Sequence, residues 1–581
     1  MVSIGFFWVF VGMMPVWGFA QESEEGYRKR IHAHLLLSDL QGAAGEGEKA
    51  LLQFPDSKKL LSSYLLALAE RGEEIKALEV WSQRGAFSLQ DPLDRKMLEM
   101  LAWGVLKKAE ASSQLLVRLN GLVGAAMTHD AKAVPLILSQ LRSSNATMRL
   151  IAIRLSSMFG DDPLKREMLR LLKEEKVWFV RLEVISAIGK LRLFEAKESL
   201  KEITISSSSL AEERAAAIHA LAGMYDAVEE EELFSLLNSD RAGLRRLGLE
   251  LVFRLELRDK ATLLARFLHD TSSEVKIAML NVISYLSLSK IGAKTVTDLV
   301  SPLLEDPSFE VAITAAYVLF LQGDKRGEEG LSMWLVSEQP ECRRLASAAL
   351  AVSGKQGLPL MIKTFQSTQD PYVKVNVAKA LIGQREHVDE AALALHQILT
   401  QEKRALWMWE EGECGRFQSL APSQVRHQEG IANYPAVVDQ MVRLELLSIM
   451  SRVGYKHSQE AVKEFLKTKS WAVSGMAAAL VLQEGAEEDL EVLRTLLQDS
   501  DEKIRCLAAL VLGAVGKDGS ATLILQEVYP KLDRELKVHV LQALGYIGDC
   551  SSIPFLLGVL HEPFQILRVV AASALIQCLY H

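Results

Sequence analysis

From Met148 to the C-terminus, one arrangement of apolar and polar positions returns thirteen times: an apolar residue, a usually basic one, then an apolar or small residue three positions further on. It reads Met148-Arg149 with Ala152, Val180-Arg181 with Val184, Val275-Lys276 with Met279, Val373-Lys374 with Val377, Ile504-Arg505 with Ala508 and Leu567-Arg568 with Ala571. Measured at the basic position, the copies fall at 149, 181, 214, 245, 276, 312, 343, 374, 443, 474, 505, 537 and 568, spaced 31 to 36 residues apart except for one interval of 69. A period of this length predicts an array of small units, each burying its apolar face only against its neighbours.

Each unit reads as two helices, and the second carries recurring punctuation. Eleven residues after the basic position stand Gly160, Gly323, Gly354, Gly454, Gly485, Gly516 and Gly548, the place of a left-handed glycine closing a helix of three to four turns. Asp240, Asp270, Asp370, Asp439, Asp501 and Asp533, four to six residues before the basic position, suit N-caps or first turns. Three residues after it come Ala152, Ala217, Ala315, Ala346, Ala477, Ala508 and Ala571, small enough for close helix approach.

The phrase Asp501-Glu-Lys-Ile504-Arg505-Cys-Leu-Ala508-Ala-Leu-Val-Leu512-Gly513 resembles the HEAT repeat in its short, phycobilisome-lyase-like form, and the resemblance covers residues 131 to 581. It implies an all-α fold, a right-handed α-α superhelix of HEAT/armadillo type, in which acidic and basic positions bond between successive repeats. Ala312 and Ser474 lack the base and Glu213 replaces the apolar residue, so looser joints are expected there.

The long interval between Lys374 and Arg443 holds a helix over 388–401, read as completing the preceding unit. Residues 403–433 then lack a helical period and contain Gly412, Gly415, Pro422 and Gly430. A loop this long in a compact array is uncommon and is more often functional than neutral. Trp407, Trp409, Arg416, Phe417 and Arg426 within it have the aromatic and arginine character of protein-interface anchors. The competing reading is that the two tryptophans plug the local groove. Residues 434–581 resume the array.

Residues 21–130 differ from the rest. Gly45-Glu-Gly-Glu-Lys-Ala50-Leu-Leu-Gln-Phe54 and Gly72-Glu-Glu-Ile-Lys-Ala77-Leu-Glu-Val-Trp81 are similar to tetratricopeptide hairpins, at a spacing short of that family's. They imply a helical N-terminal module. Before it, the apolar residues 4–17 and Gly18-Phe19-Ala20 predict a secretory signal peptide over 1–20, hence export to a periplasmic or extracellular compartment, although no Lys or Arg precedes the run.

Composition narrows the function. The chain has 581 residues, 49% hydrophobic and 7% aromatic, with 15 prolines and a net charge of −8. This suits helix rather than disorder, and the charge argues against a nucleic-acid binder. Cys342, Cys414, Cys506, Cys550 and Cys578 show no CxxC spacing and predict neither a disulfide framework nor a zinc site.

The basic positions Arg149, Arg181, Arg214, Arg245, Lys276, Arg343, Lys374, Arg443, Arg505, Lys537 and Arg568 could form a phosphate-binding stripe. The periodic acids favour a structural ladder between repeats instead. Gly189-Lys190, Gly354-Lys355 and Gly516-Lys517 lack the rest of a phosphate loop and read as capping glycines. The acidic run Glu229–Glu232 reads as a capping box with an acidic first turn. No catalytic residue, cofactor or metal ligand set is predicted.

The expectation is a non-catalytic exported scaffold that binds proteins. The alternatives are an enzyme-associated, lyase-like or chaperone-like repeat protein and a polyanion-binding solenoid. The last helix, ending at Tyr580 without a polar cap, is expected to leave an edge for a partner or a second copy.

Overall fold

The computed structural model describes residues 23–83, 87–401, 408–412, 416–420, 442–443, 445–450, 452–468 and 487–580. The chain folds as an all-α solenoid of stacked helical hairpins. Three hairpins come first: α1 (Glu24–Leu36) with α2 (Leu40–Gln53), α3 (Lys58–Arg71) with α4 (Glu74–Ser82), and α5 (Pro92–Glu110) with α6 (Leu115–Met127). Their helices stack in the order α1, α3, α5.

The repeats follow. Units one to four pair α7 (Ala133–Leu141) with α8 (Ala146–Ser156), α9 (Asp162–Glu174) with α10 (Trp178–Lys190), α11 (Lys197–Ile205) with α12 (Ala211–Met224), and α13 (Glu230–Leu237) with α14 (Ala242–Arg254). In unit five, short 3-10 turns replace the first helix before α15 (Ser273–Tyr285), and a small hairpin of β1 (Lys290–Ile291) and β2 (Lys294–Thr295) leads into unit six. Units six to eight pair α16 (Val296–Val300) with α17 (Phe309–Leu321), α18 (Lys325–Leu335) with α19 (Pro340–Ala351), and α20 (Leu358–Ser367) with α21 (Pro371–Gly383). Beyond α22 (Val388–Gln401), β3 (Met408–Gly412) and β4 (Arg416–Leu420), the array continues through α23 (Ser458–Thr468), α24 (Glu487–Leu496), α25 (Glu502–Val511), α26 (Thr522–Val528), α27 (Arg534–Ile547), α28 (Ile553–Val559) and α29 (Gln565–Tyr580).

The second helices stack on one another, and small residues set their separation. Ala152, Ala217, Ala315, Ala346, Ala508 and Ala571 are fully buried. Eight residues after the base, a glycine recurs against the alanine six residues after the next base. A Cβ on Gly189 would lie 2.7 Å from Ala220 Cα, one on Gly513 3.0 Å from Ala543 Cβ, and one on Gly545 3.0 Å from Ala574 Cα. Gly189 is therefore a packing residue inside α10 and caps nothing.

The helix-closing backbone is more regular than the glycines that advertise it. Gly323, Gly354, Gly454 and Gly548 have φ between 64° and 75°. At the same offset of eleven residues, Arg192, Glu256, Ser287 and Arg385 adopt φ between 50° and 61° without being glycine. At the end of α25 the left-handed residue is Lys517, one place after Gly516, and Gly160 is not left-handed.

The ends of the array meet. The C-terminal helix α29 packs against α27 and α28 on one side and against α5 and α6 on the other. Eleven of its sixteen residues are buried, from Leu567 to Leu579. Gly124 of α6 gives Ser573 the same glycine-to-small-residue approach, with 2.9 Å from an added Cβ to Ser573 Cβ. The Ser573 hydroxyl donates to the Gly124 carbonyl at 2.8 Å, Arg95 donates to the Leu579 carbonyl, and the Tyr580 hydroxyl donates to Glu99. The uncapped edge expected from the sequence is thus not free for a partner or a second copy. A helix apolar on nearly every side must be buried on every side, and the N-terminal hairpins cover it. Hairpins α1–α4 stack on α5 beyond this seam.

Stability should respond to the left-handed caps. Exposed Ser287 carries the strain of φ 50° with no side-chain hydrogen bond among the described residues. Ser287→Gly should raise stability by up to about 1 kcal/mol and Gly548→Ala should lower it by about 1 kcal/mol, both read from urea midpoints.

Candidate functional site: the arginine ladder, the insertion and the seam

The ladder cations hold two successive units together. The loop before each second helix exposes carbonyls that its own hydrogen bonds leave free, and the basic side chain, one turn into the helix, folds back onto them. Arg149 Nη1 donates to Ser143 O at 2.9 Å and Ser144 O at 3.2 Å. Arg245 reaches Ser239 O, Arg343 reaches Ser337 O and Glu338 O, Arg505 reaches Asp499 O and Ser500 O, and Arg568 reaches Glu562 O and Pro563 O. The bonded carbonyls lie six residues before the base in each case, and also five before it for all but Arg245.

The other edge of the guanidinium faces the next unit. Arg149 grips Glu175 with two bonds of 2.7 and 2.9 Å, and Arg245 grips Asp270 with two of 2.7 Å. Arg181 bonds Glu213 at 2.7 Å, Lys276 bonds Asp306 at 2.5 Å, and Arg343 bonds Asp370 at 2.7 Å. Lys537 lies 3.8 Å from Glu562. Apart from Glu213 and Asp370, these acids stand six residues before the next ladder position, which is Ala312 in the case of Asp306. Of the predicted capping acids, Asp370, Asp501 and Asp533 do cap α21, α25 and α27. Asp240 caps nothing, because Arg241 is the N-cap of α14, and Asp439 lies outside the described residues.

Several rungs are incomplete. Ala312 has no base to offer, and Ser337 stands where the next acid would be. For Arg214 the residue at that position is Ser239, and among the described residues Arg214 donates only to carbonyls of its own loop, Ser206 O and Ser209 O. Lys374 turns to Phe365 O and to the Phe365 ring, 4.2 Å away. Ser474 lies outside the described residues, but Lys463 of α23 supplies a cation to Asp499.

Electrostatics follow this geometry. Burial alone would raise Glu175, Asp270 and Asp306, but the hydrogen bonds from Arg149, Arg245 and Lys276 outweigh it and leave all three below their ordinary values. Burial also opposes ionisation of Glu232, yet Tyr225, Lys201 and Lys197 around it pull it down to about 2. Glu232 therefore belongs to a cation cluster. The capping box expected for Glu229–Glu232 is absent, although the acidic first turn of α13 is present.

The 69-residue interval is one unit with an insertion, so α22 is the first helix of unit nine and does not complete unit eight. Arg443 Nη1 donates to Leu399 O at 3.2 Å, closing the last turn of α22 as Arg181 closes α9 through Leu172 O. Lys379 of α21 lies 3.4 Å from Glu445. Part of the insertion is an antiparallel hairpin in which Trp409 pairs with Ser419, Glu411 with Phe417 and Gly412 with Arg416. Trp407 and Arg426 lie outside the described residues.

At the seam, the last rung is completed from the other end of the chain. Arg568 Nη2 lies 3.6 Å from Glu74 at the start of α4, so Glu74 stands where the acid of a following unit would be. Burial first, then its bond to Glu99, push the Tyr580 hydroxyl up to about 12. Among the described residues no group of His, Cys, Asp and Glu is arranged to hold a metal, and no helix is long and apolar enough to cross a membrane.

Neither a family model nor a curated protein matches the chain. Several solved structures are similar to it at low identity. The karyopherin Kap121p bound to the SUMO protease Ulp1p is 10% identical, with 95% of this chain and 82% of that one covered at a TM-score of 0.30. Kap95p with RanGDP is 10% identical, with 94% and 79% covered at 0.34. The UNC-45 myosin chaperone is 12% identical, with 94% and 86% covered at 0.33.

The ladder sets a graded response to mutation. Arg245→Gln, which strips two bonds from the nearly buried Asp270 carboxylate, should cost about 3 kcal/mol, whereas Arg505→Gln, with only carbonyl partners among the described residues, should cost about 1 kcal/mol. Because Glu175, Asp270 and Asp306 are depressed, their stabilisation is present above their ordinary values of 4.5, 3.8 and 3.8 and is lost as pH falls below them. Chemical denaturation of the wild type and Arg245→Gln across that range should show the gap between them closing at acid pH.

Proposed function

We propose that this protein is a non-catalytic scaffold that binds other proteins, with the insertion in unit nine as one contact surface. One observation carries the reading: the chain adds some forty residues inside a unit whose own closing bond, Arg443 to Leu399, is still made. A long irregular segment inside a compact unit is more often functional than neutral, and Trp407, Trp409, Arg416, Phe417 and Arg426 have the composition of interface anchors. The ladder cations are engaged with carbonyls and carboxylates, which speaks against a stripe for polyanions. Export rests on the apolar residues 4–17 and the small residues before Gln21, which have the pattern of a signal segment.

Deletion of 403–433 tests the reading. The shortened chain should melt within a few degrees of the full-length protein, yet fail to retain the proteins that the full-length chain captures from a cell-envelope fraction. A deletion that unfolds the chain would assign the segment to packing. A protein found only in the cytosol would contradict export.

A further inference from the structure

A cleft of about 550 Å³ opens between units seven and eight, where the last turns of α18 and α20 stand apart. Short hydroxyl side chains keep it open: Ser332 and Ser337 on one side, Thr364, Ser367 and Thr368 on the other. Three cations line it, Arg343 and Arg344 from α19 and Lys363 from α20. Among the lining residues the carboxylate is Asp370. Asp370 Oδ2 accepts from Arg343 Nε at 2.7 Å and from Arg344 Nε at 3.3 Å. Lys363 is exposed and makes no ion pair among the described residues.

The charge balance favours an anion. Each helix C-terminus contributes about half a negative charge at most, and Arg343 already meets the carbonyls of Ser337 and Glu338 that follow α18. With Asp370 set against three cations, the cleft keeps an excess of about one positive charge. It is partly open to solvent, which suits a chain lying across it better than a small molecule that must be enclosed. At its edge Val336 is 79% exposed, and Met333, one turn earlier, is 56% exposed. A cation and hydroxyls beside exposed apolar side chains match a segment that alternates carboxylate and apolar residues.

We propose that this cleft binds an acidic peptide segment of a protein partner, with a glutamate or aspartate carboxylate at Lys363 and the neighbouring hydroxyls, and an apolar residue on Val336. The proposal rests on the scaffold reading and adds a second contact surface far in sequence from the insertion. Lys363 and Ser367 are both exposed, so Lys363→Glu and Ser367→Glu change the cleft without touching the Arg343–Asp370 rung.

Fluorescence anisotropy of the full chain with a short fluorescein-labelled peptide of alternating glutamate and leucine tests it. The intact chain should bind this peptide, and either substitution should weaken binding about tenfold while leaving the melting temperature unchanged. The matching peptide with glutamine for glutamate should bind about tenfold more weakly. Equal binding by both variants, no binding by the intact chain, or displacement by inorganic phosphate as readily as by unlabelled peptide would overturn it. If the peptide fails while envelope proteins are still captured, the cleft assignment falls and the scaffold reading stands.

Discussion

The guanidinium of a ladder arginine ties three pieces of chain together: its own helix, the loop before that helix, and a carboxylate of the next unit. The array is organised around this joint, although among the described residues the units at 214, 312, 374 and 505 stack without its carboxylate half. The second helices are apolar on most faces and cannot be stable alone, so each must find a neighbour at a fixed distance. The glycine-to-alanine contacts allow the helices to approach, but a smooth apolar contact could slide. A two-bonded carboxylate in a half-buried site, as between Arg149 and Glu175, fixes the register because misplacing it strands a charge away from water.

The same logic explains why the chain closes on itself. At the last unit the neighbour is supplied from the opposite end, with Glu74 in the place of the next acid and Gly124 in the place of the next small residue. The helix α29 is covered as a repeat helix must be, and the two ends of the repeat array become internal joints. What is left to meet partners is the surface between units and the segments that interrupt them, which is where the insertion and the cleft beside Lys363 lie.

Much of the fold was legible because it is periodic. The base at 149, 181 or 245 recurs with apolar neighbours at helical spacing, and that alone gives units of two helices. The acids of the ladder are half-hidden: Glu175, Asp306 and Glu562 stand six residues before a ladder position, whereas the acids that stand out in the sequence are those placed to cap a helix, such as Asp501. The left-handed turn was seen only where evolution had placed glycine, because Arg192, Glu256, Ser287 and Arg385 adopt that backbone with no residue type that announces it. The division of unit nine is hidden for a related reason: its two helices are far apart in sequence, and it takes the bond from Arg443 to Leu399 and the His396 ring beside Tyr455 and His457 to show that they belong together. The seam had no sequence signal at all, since a contact between Ser573 and Gly124 joins residues with no periodic relation. Of the proposed contact surfaces, the insertion was visible as a break in the pattern, but the cleft was not, because serines and threonines between two helices become a site only once the helices are placed.

Closure of the array is the claim on which this account stands. It is tested most directly by a pulsed electron paramagnetic resonance distance between spin labels at Leu116 on α6 and His561 before α29, in a chain with Cys414 and Cys550 replaced by serine. A closed array predicts one narrow distance below about 40 Å, set by two helices packed about 8–10 Å apart. A broad distribution, or separation approaching the contour of about 100 Å that open stacking of the units would give, would contradict it.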